Sequence, residues 1–198
     1  MEPKKLHRKA LILSYITVVY NLLEGSLSIF AGILANSTSL IGFALDSFIE
    51  SLSGFIMIWR FSNTSHLDKQ ATDKIEKIAE KLVGITFLIL GLYVLIESIE
   101  KLITKDPADP SLFGIIIAIV SIFSMPVLFY LKFKTAKTLN SKSLLADAKE
   151  TLVCSLLSIV LLIGLLMNYM FSFWQADPVA ALIIVLYLFK EGVEIIRE

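Results

Sequence analysis

Six long apolar stretches limit what this sequence can fold into. They cover approximately residues 10–35, 38–59, 82–104, 112–131, 143–170 and 177–196. A membrane-spanning helix needs about 20 mostly apolar residues, and each stretch is long enough. The composition agrees, because 56% of the 198 residues are hydrophobic and 18% are charged, against roughly half and a quarter in soluble domains. The sequence therefore predicts an all-α integral membrane protein with six transmembrane helices.

The distribution of Lys and Arg predicts the direction of these helices. If the six stretches alternate in direction, 16 of the 18 basic residues fall on one side of the membrane. The links on the other side, at 36–39, 105–110 and 171–176, are short and nearly free of basic residues. By the positive-inside rule, the basic side is cytoplasmic. We therefore expect a multi-pass protein of the cell (inner) membrane with both termini in the cytoplasm.

The overall charge excludes one class of partner. Lys and Arg balance Asp and Glu at 18 each, and no long basic block occurs. Nucleic-acid binders carry a clustered basic surface, so no nucleic-acid partner is expected. The lipid bilayer is the expected surrounding.

Polar side chains at helical spacing interrupt three of the predicted spans. They are Asn21 and Glu24 in the first span, Asp46 and Glu50 in the second, and Asp147, Glu150 and Cys154 in the fifth. Residues three or four apart share one face of a helix. A carboxylate inside a bilayer is costly and usually faces a partner, a cavity or an ion. These positions are therefore candidates for a functional site.

The second and fifth spans also resemble each other. Residues 39–52 align without gaps on residues 143–156, which places Asp46 on Glu150 and Glu50 on Cys154. Two apolar helices can match by chance, but here the costly positions match as well. Because the two segments would cross in opposite directions, the match predicts an inverted repeat of spans 1–3 and 4–6 with a site near the midplane. Together the two helices offer three carboxylates and one thiol as metal ligands.

The remaining polar residues allow two interpretations each. Asn21 and Glu24 could join helices by hydrogen bonds or contact an ion. Asp147 could be solvated or paired. Cys154, taken alone, could be a small buried apolar residue. We expect Asn21, Glu24 and Asp147 to lie behind the metal ligands and support them, or to lie on a path for protons.

Several motifs resemble the transmembrane domain of the cation diffusion facilitators. They are Asn-Leu-Leu-Glu-Gly at 21–25, Asn-Ser-Thr-Ser-Leu at 36–40, Ala-Leu-Asp-Ser-Phe-Ile-Glu at 44–50, the segment 143–154, and Ala-Asp-Pro at 176–178. The resemblance implies that two ligand pairs, on the second and fifth helices, bind a divalent metal that is exported from the cytoplasm, usually against protons. By position, Asp46 and Glu50 match the first pair, and Glu150 and Cys154 match the second. A homodimer is also implied.

This sequence departs from the family pattern at two points. Zinc-type members commonly carry His then Asp on the fifth helix, where this chain has Glu150 and Cys154. Carboxylates favour harder ions such as manganese or iron(II), and a thiolate favours zinc, cadmium or cobalt, so three oxygens with one sulfur leave the metal open. Zinc is expected first, then manganese, iron(II), cadmium or cobalt. This sequence ends soon after the sixth span, without the family's cytoplasmic C-terminal domain, as expected for either a short member or a truncated chain; residues 1–198 are interpreted as a single transmembrane domain.

The expected function is secondary transport rather than catalysis. Metal requires deprotonated ligands, so its binding releases protons, and this favours export of a divalent transition metal by proton antiport. The metal would be the transported substrate, and no cofactor is expected. Two alternatives remain at this point: a metal-sensing module, and a metal-dependent membrane enzyme that uses the same carboxylate cluster.

Overall fold

The computed structural model describes residues 3–35, 37–63, 69–105, 111–171 and 175–197. These residues form six helices and no strand, as the sequence predicted. The helices are α1 (Pro3–Leu34), α2 (Thr38–Asn63), α3 (Lys69–Thr104), α4 (Leu112–Leu139), α5 (Lys142–Phe171) and α6 (Ala176–Arg197). Most residues of the predicted links at 105–110 and 171–176 lie outside the described residues.

Within the described ranges, five helices are long and apolar enough to cross a membrane. The five segments are Lys5–Leu34, Leu40–Ser62, Lys77–Thr104, Leu112–Leu139 and Lys142–Met167. Helix α6 is not among them. The sixth crossing therefore stays a prediction, as does the cytoplasmic position of the termini.

The fourth helix is longer than the sequence predicted. The apolar stretch predicted a span that ends near residue 131, but the helix continues through residues 132–139. Helix α4 continues to Leu139, and Lys132 is buried in it. It ends because Asn140 adopts a left-handed conformation (φ 52°, ψ 39°) and its N–H bonds back to the last turn. This is a common way to terminate a helix.

The two halves of the chain begin their central helices in the same way. The Ser37 hydroxyl accepts a hydrogen bond from the Leu40 N–H at 3.3 Å, and the Ser141 hydroxyl accepts one from the Leu144 N–H at 3.3 Å. Serine at this position satisfies an otherwise unpaired N–H of the first turn. Ser37 and Ser141 each lie two residues before the aligned segments, so the likeness extends to how α2 and α5 start.

Helices α2 and α5 cross in antiparallel fashion, and this crossing positions the polar residues. Asp46 contacts Cys154, Glu50 contacts Thr151, and Ser53 contacts Asp147. Advancing along α2 therefore means moving backwards along α5. This direction is what an inverted repeat requires.

Candidate functional site

The first pair of predicted ligands to meet is Asp46 and Cys154. Both are buried, with exposed fractions of 2% and 1%. The Cys154 thiol donates a hydrogen bond of 3.4 Å to Oδ1 of Asp46. The second oxygen, Oδ2, has no hydrogen-bond donor among the described residues. One oxygen of Asp46 is therefore open to a ligand.

Glu50 is held by two groups that the sequence analysis did not assign to the site. The Thr151 hydroxyl donates a 2.6 Å hydrogen bond to Oε1 of Glu50. The same oxygen lies 3.8 Å from Nζ of Lys132. Its partner oxygen, Oε2, is buried and receives no hydrogen bond from the described residues.

Lys132 is the main residue that sequence reasoning missed. Its ammonium is fully buried, forms a 2.9 Å ion pair with Oδ2 of Asp147 and donates a 2.8 Å hydrogen bond to Thr151. Helical spacing could have revealed it, because Ser121, Met125 and Leu128 lie on the same buried face of α4 as Lys132. We interpreted residue 132 as the start of a link, so that periodicity was not extended to it.

Asp147 is paired rather than solvated. Besides Lys132, it accepts a 2.8 Å hydrogen bond from the Ser53 hydroxyl of α2. It is fully buried. Asp147 therefore joins α2, α4 and α5 at the edge of the cluster.

Glu150 is the carboxylate of the site that accepts the fewest hydrogen bonds. It is fully buried, and neither oxygen accepts a well-formed hydrogen bond from the described residues. The nearby Ser53 hydroxyl donates to Asp147 instead. Glu150 interacts electrostatically with Asp147, Glu50 and Lys132. A buried carboxylate without donors is a group that a cation or a proton would stabilise.

Glu24 and Asn21, the polar pair of the first span, differ in their hydrogen bonding. Glu24 accepts hydrogen bonds from Tyr20 at 2.9 Å and from Ser47 of α2 at 3.0 Å. The bond from Ser47 joins α2 to α1, whereas the bond from Tyr20 lies within α1. Asn21 is fully buried and its side-chain amide has no hydrogen-bond partner among the described residues.

The four predicted ligands are neighbours, but they do not enclose a common point. Cys154 touches Asp46 and interacts electrostatically with Glu50 and Glu150. Even so, nowhere in the described part of the chain are three or more His, Cys, Asp or Glu side chains arranged to hold a metal ion. The site residues thus remain a prediction, and ligation by all four would require side-chain rearrangement, including release of Glu50 from Lys132.

A pocket connects Asp46 with the far end of α3. Its lining includes Gly42 and Asp46 of α2 and Tyr93, Glu97 and Lys101 of α3. The Tyr93 hydroxyl donates a 3.1 Å hydrogen bond to Glu97. The carboxylates of Asp46 and Glu97 therefore line one cavity between the cluster and this end of the bundle.

Comparison with known proteins identifies the family. Residues 14–198 match the cation efflux transmembrane domain. The chain belongs to the cation efflux family. Its function class is therefore metal cation transport across a membrane, and the family consists of transporters rather than enzymes. The expected resemblance to the cation diffusion facilitators is confirmed.

Three curated relatives illustrate the range of this family. Transmembrane protein 163 of Xenopus laevis is 24% identical over 198 residues, which is 100% of this chain and 69% of the relative. The manganese efflux system protein MneP of Bacillus subtilis is 31% identical over 131 residues, which is 63% and 43%. The magnetosome protein MamB of a Magnetospira species is 27% identical over 171 residues, which is 83% and 57%. The chain thus spans between about half and two thirds of these relatives.

Proposed function

We propose that this cation efflux protein is a secondary transporter that exports a divalent transition metal from the cytoplasm by proton antiport. The observation that carries the proposal is the fully buried polar cluster where α2 crosses α5. Asp46, Glu50, Glu150 and Cys154 are the proposed ligands. Asp46, Glu50 and Glu150 together retain four carboxylate oxygens without a hydrogen-bond donor in the described chain, which is the electron-rich surrounding that a divalent cation needs.

The pocket beside Asp46 supports a transport role for this cluster. A transported ion must reach its site from one side and leave it on the other. Asp46, Glu97 and Lys101 line the same cavity, which extends from the cluster towards one end of the bundle. In the proposed cycle this is the exit on the non-cytoplasmic side.

Proton antiport follows from the chemistry of the ligands. Carboxylate and thiolate bind metal in their deprotonated forms, so metal and protons compete for the same atoms. Protons that enter from the exit side would displace the metal and neutralise the ligands for the return step. Neutral ligands cost less to bury than charged ones.

The proposed substrate is zinc first, followed by manganese, iron(II), cadmium or cobalt. A set of three carboxylates with one sulfur combines hard and soft donors. Zinc accepts both kinds and is commonly bound by four ligands. The name of the relative MneP adds support for manganese as the second candidate.

Metal uptake by reconstituted protein tests this function. Purified protein in liposomes would be given zinc, cadmium, manganese and iron(II) separately under an imposed pH gradient. We expect pH-dependent uptake of zinc that falls at least about tenfold in Glu50→Ala, since even groups behind the ligands change metal sites by roughly 10- to 100-fold. Zinc binding without uptake of any metal would reject transport and favour the metal-sensing alternative, and metal-dependent turnover of a lipid or peptide would favour the enzyme.

Two further properties belong to the same proposal. We place the protein in the cell (inner) membrane with both termini cytoplasmic, on the distribution of basic residues. We also propose a homodimer, on the family resemblance. Crosslinking of the purified protein in liposomes would test the second point, with a single monomer band contradicting it.

A further inference from the structure

The structure already places one positive charge among the proposed ligands. Nζ of Lys132 lies 2.9 Å from Asp147 and 3.8 Å from Glu50. Thr151 links the ion pair to Glu50, because it accepts from Lys132 at 2.8 Å and donates to Glu50 at 2.6 Å. In the described chain, Lys132 is the basic residue buried against the acids Glu50, Asp147 and Glu150.

A metal ion on Glu50 and an ammonium at this position are in conflict. A metal lies about 2 Å from a ligating carboxylate oxygen. Whether it bound Oε1, which lies 3.8 Å from Nζ, or the open Oε2 of the same carboxylate, it would lie close to the ammonium. Repulsion between a divalent and a monovalent cation at short distance is large in a buried site. Lys132 and the metal therefore compete for the negative charge of Glu50 in the observed geometry.

Two equivalent hydroxyl groups, one in each half of the chain, have hydrogen-bond partners of opposite charge. Ser47 of α2 is equivalent to Thr151 of α5 in the alignment of the two segments. Ser47 bonds to Glu24 of α1, whereas Thr151 bonds to Lys132 of α4. The partner of this hydroxyl is thus a carboxylate in the first half of the chain and an ammonium in the second half. Only the second contributes a cation to the cluster.

We propose that Lys132 is a built-in competitor of the transported metal. Its ammonium shields Glu50 and neutralises Asp147 while the site is empty, and it withdraws from Glu50 when a divalent cation binds there. This inference rests on the proposed transport function. It assigns Lys132 to the return of the empty carrier, because the ammonium compensates carboxylate charge that the returning protons would otherwise have to neutralise alone.

The alternative explanation is that Lys132 only stabilises the packing of α4 against α5. A residue with only this structural role would support every step of transport equally. A competitor opposes metal binding and supports only the return of the empty site. The two roles therefore predict opposite signs for the effect of removing the charge on metal affinity.

The test compares Lys132→Met with Lys134→Met, which removes the same charge from an exposed position of the same helix. Three quantities would be measured at one fixed pH: zinc affinity in detergent, zinc–zinc exchange across liposomes, and net zinc flux. For Lys132→Met we expect affinity at least about tenfold higher, since a nearby like charge has been removed. We also expect exchange within about twofold of the unaltered protein and net flux at least about tenfold lower, because only the empty return step is affected.

Two further variants keep the test decisive if Lys132→Met does not fold. Lys132→Arg retains the charge, so its zinc affinity should stay close to that of the unaltered protein. Asp147→Asn removes the other partner of Lys132 and leaves the ammonium to Glu50, so zinc affinity should fall. Affinity that rises in Asp147→Asn would overturn the proposal.

The remaining outcomes separate this inference from the proposed function. Unchanged affinity and unchanged fluxes in Lys132→Met would overturn the competitor role, as would lower affinity with exchange and net flux lost together. If the unaltered protein binds zinc but transports none, the transport function fails, and the competitor role in transport fails with it. The affinities of the variants would still show whether Lys132 competes with zinc for Glu50.

Discussion

The hydrogen bonds that each buried carboxylate accepts divide structural acids from candidate ligands. Glu24 has both oxygens engaged by hydroxyl donors, from Tyr20 and Ser47. Asp46 and Glu50 each keep one open oxygen, and Glu150 keeps two. Since a buried carboxylate without donors is unfavourable, the last three are the acids that a cation would stabilise most.

Replacing one open carboxylate should abolish tight metal binding. Asp46→Asn keeps the size of the side chain but removes its charge and weakens its ability to ligate. We expect zinc affinity to fall at least about tenfold, measured by titration calorimetry. Glu100→Gln, an exposed carboxylate on α3, is the matched control and should bind as the unaltered protein does. Equal affinities of Asp46→Asn and the control would remove Asp46 from the site.

The thiol of Cys154 should set metal preference rather than transport itself. Cys154→Ser retains a donor towards Asp46 but replaces a soft ligand by a hard one. We expect the ratio of cadmium to manganese affinity to fall by about tenfold, following ligand softness. Binding competition with both ions would measure it. An unchanged ratio would mean that Cys154 lines the cavity without ligating.

For individual residues, the sequence predicted the acids better than it predicted the groups around them. Asp46, Glu50 and Glu150 were predicted because charged groups at helical spacing are rare in apolar spans, and Cys154 was predicted because it aligns with Glu50. Lys132 was not, since it follows the apolar stretch directly and resembles the start of an aqueous link. Only the continuation of α4 to Leu139 brings it against Asp147.

Among the elements, the α1–α2 pair depends on close backbone contact. A Cβ atom added at Gly32 would lie 2.8 Å from Cγ1 of Ile41, 3.1 Å from its backbone nitrogen and 3.2 Å from the carbonyl oxygen of Ser37. Two of these atoms belong to the backbone and cannot rotate away. Small residues that allow such approach are typical of helix packing in membranes.

Enlarging this glycine should therefore destabilise the helix pair. Gly32→Ala is expected to cost about 1–3 kcal/mol, in the range for overpacking, and to lower the apparent unfolding temperature in detergent. At Gly91 the nearest atom to an added Cβ is a side-chain atom of Leu188 at 3.3 Å. Gly91→Ala should consequently cost less than Gly32→Ala. A Gly32→Ala protein as stable as Gly91→Ala would contradict the close packing of α1 on α2.

The sequence predicted which segments are helices, but not where they end. A run of about 20 apolar residues is sufficient evidence for a helix in a membrane. Polar residues next to the run are compatible with either a link or a helical extension. The end of α4 depends on Asn140, whose left-handed conformation stops the helix, and composition alone does not predict that conformation.

For the whole molecule, the arrangement in the membrane is still a prediction from the basic residues. Thr104 ends α3 and Thr138 lies near the end of α4, and both are exposed. In a Cys154→Ser background, Thr138→Cys should react with an impermeant thiol reagent only from the cytoplasmic side. Thr104→Cys should react only from the opposite side. The reverse pattern in sealed cells and inverted vesicles would contradict the positive-inside assignment.

The fold and the family connect these observations into one account. Antiparallel α2 and α5 bring acids from both halves of the chain together. The match to the cation efflux transmembrane domain covers residues 14–198. Together they assign cation transport to the bundle, while the metal, the coupling ion and the direction belong to the proposal.

The central claim is that a divalent metal crosses the bundle through the cluster at Glu50 in exchange for protons. The most direct measurement follows zinc and protons simultaneously in sealed proteoliposomes that contain either the unaltered protein or Glu50→Gln. We predict zinc entry accompanied by proton exit in the unaltered protein, and neither in Glu50→Gln. Zinc entry without proton movement would contradict antiport, and equal zinc entry in both proteins would contradict the site.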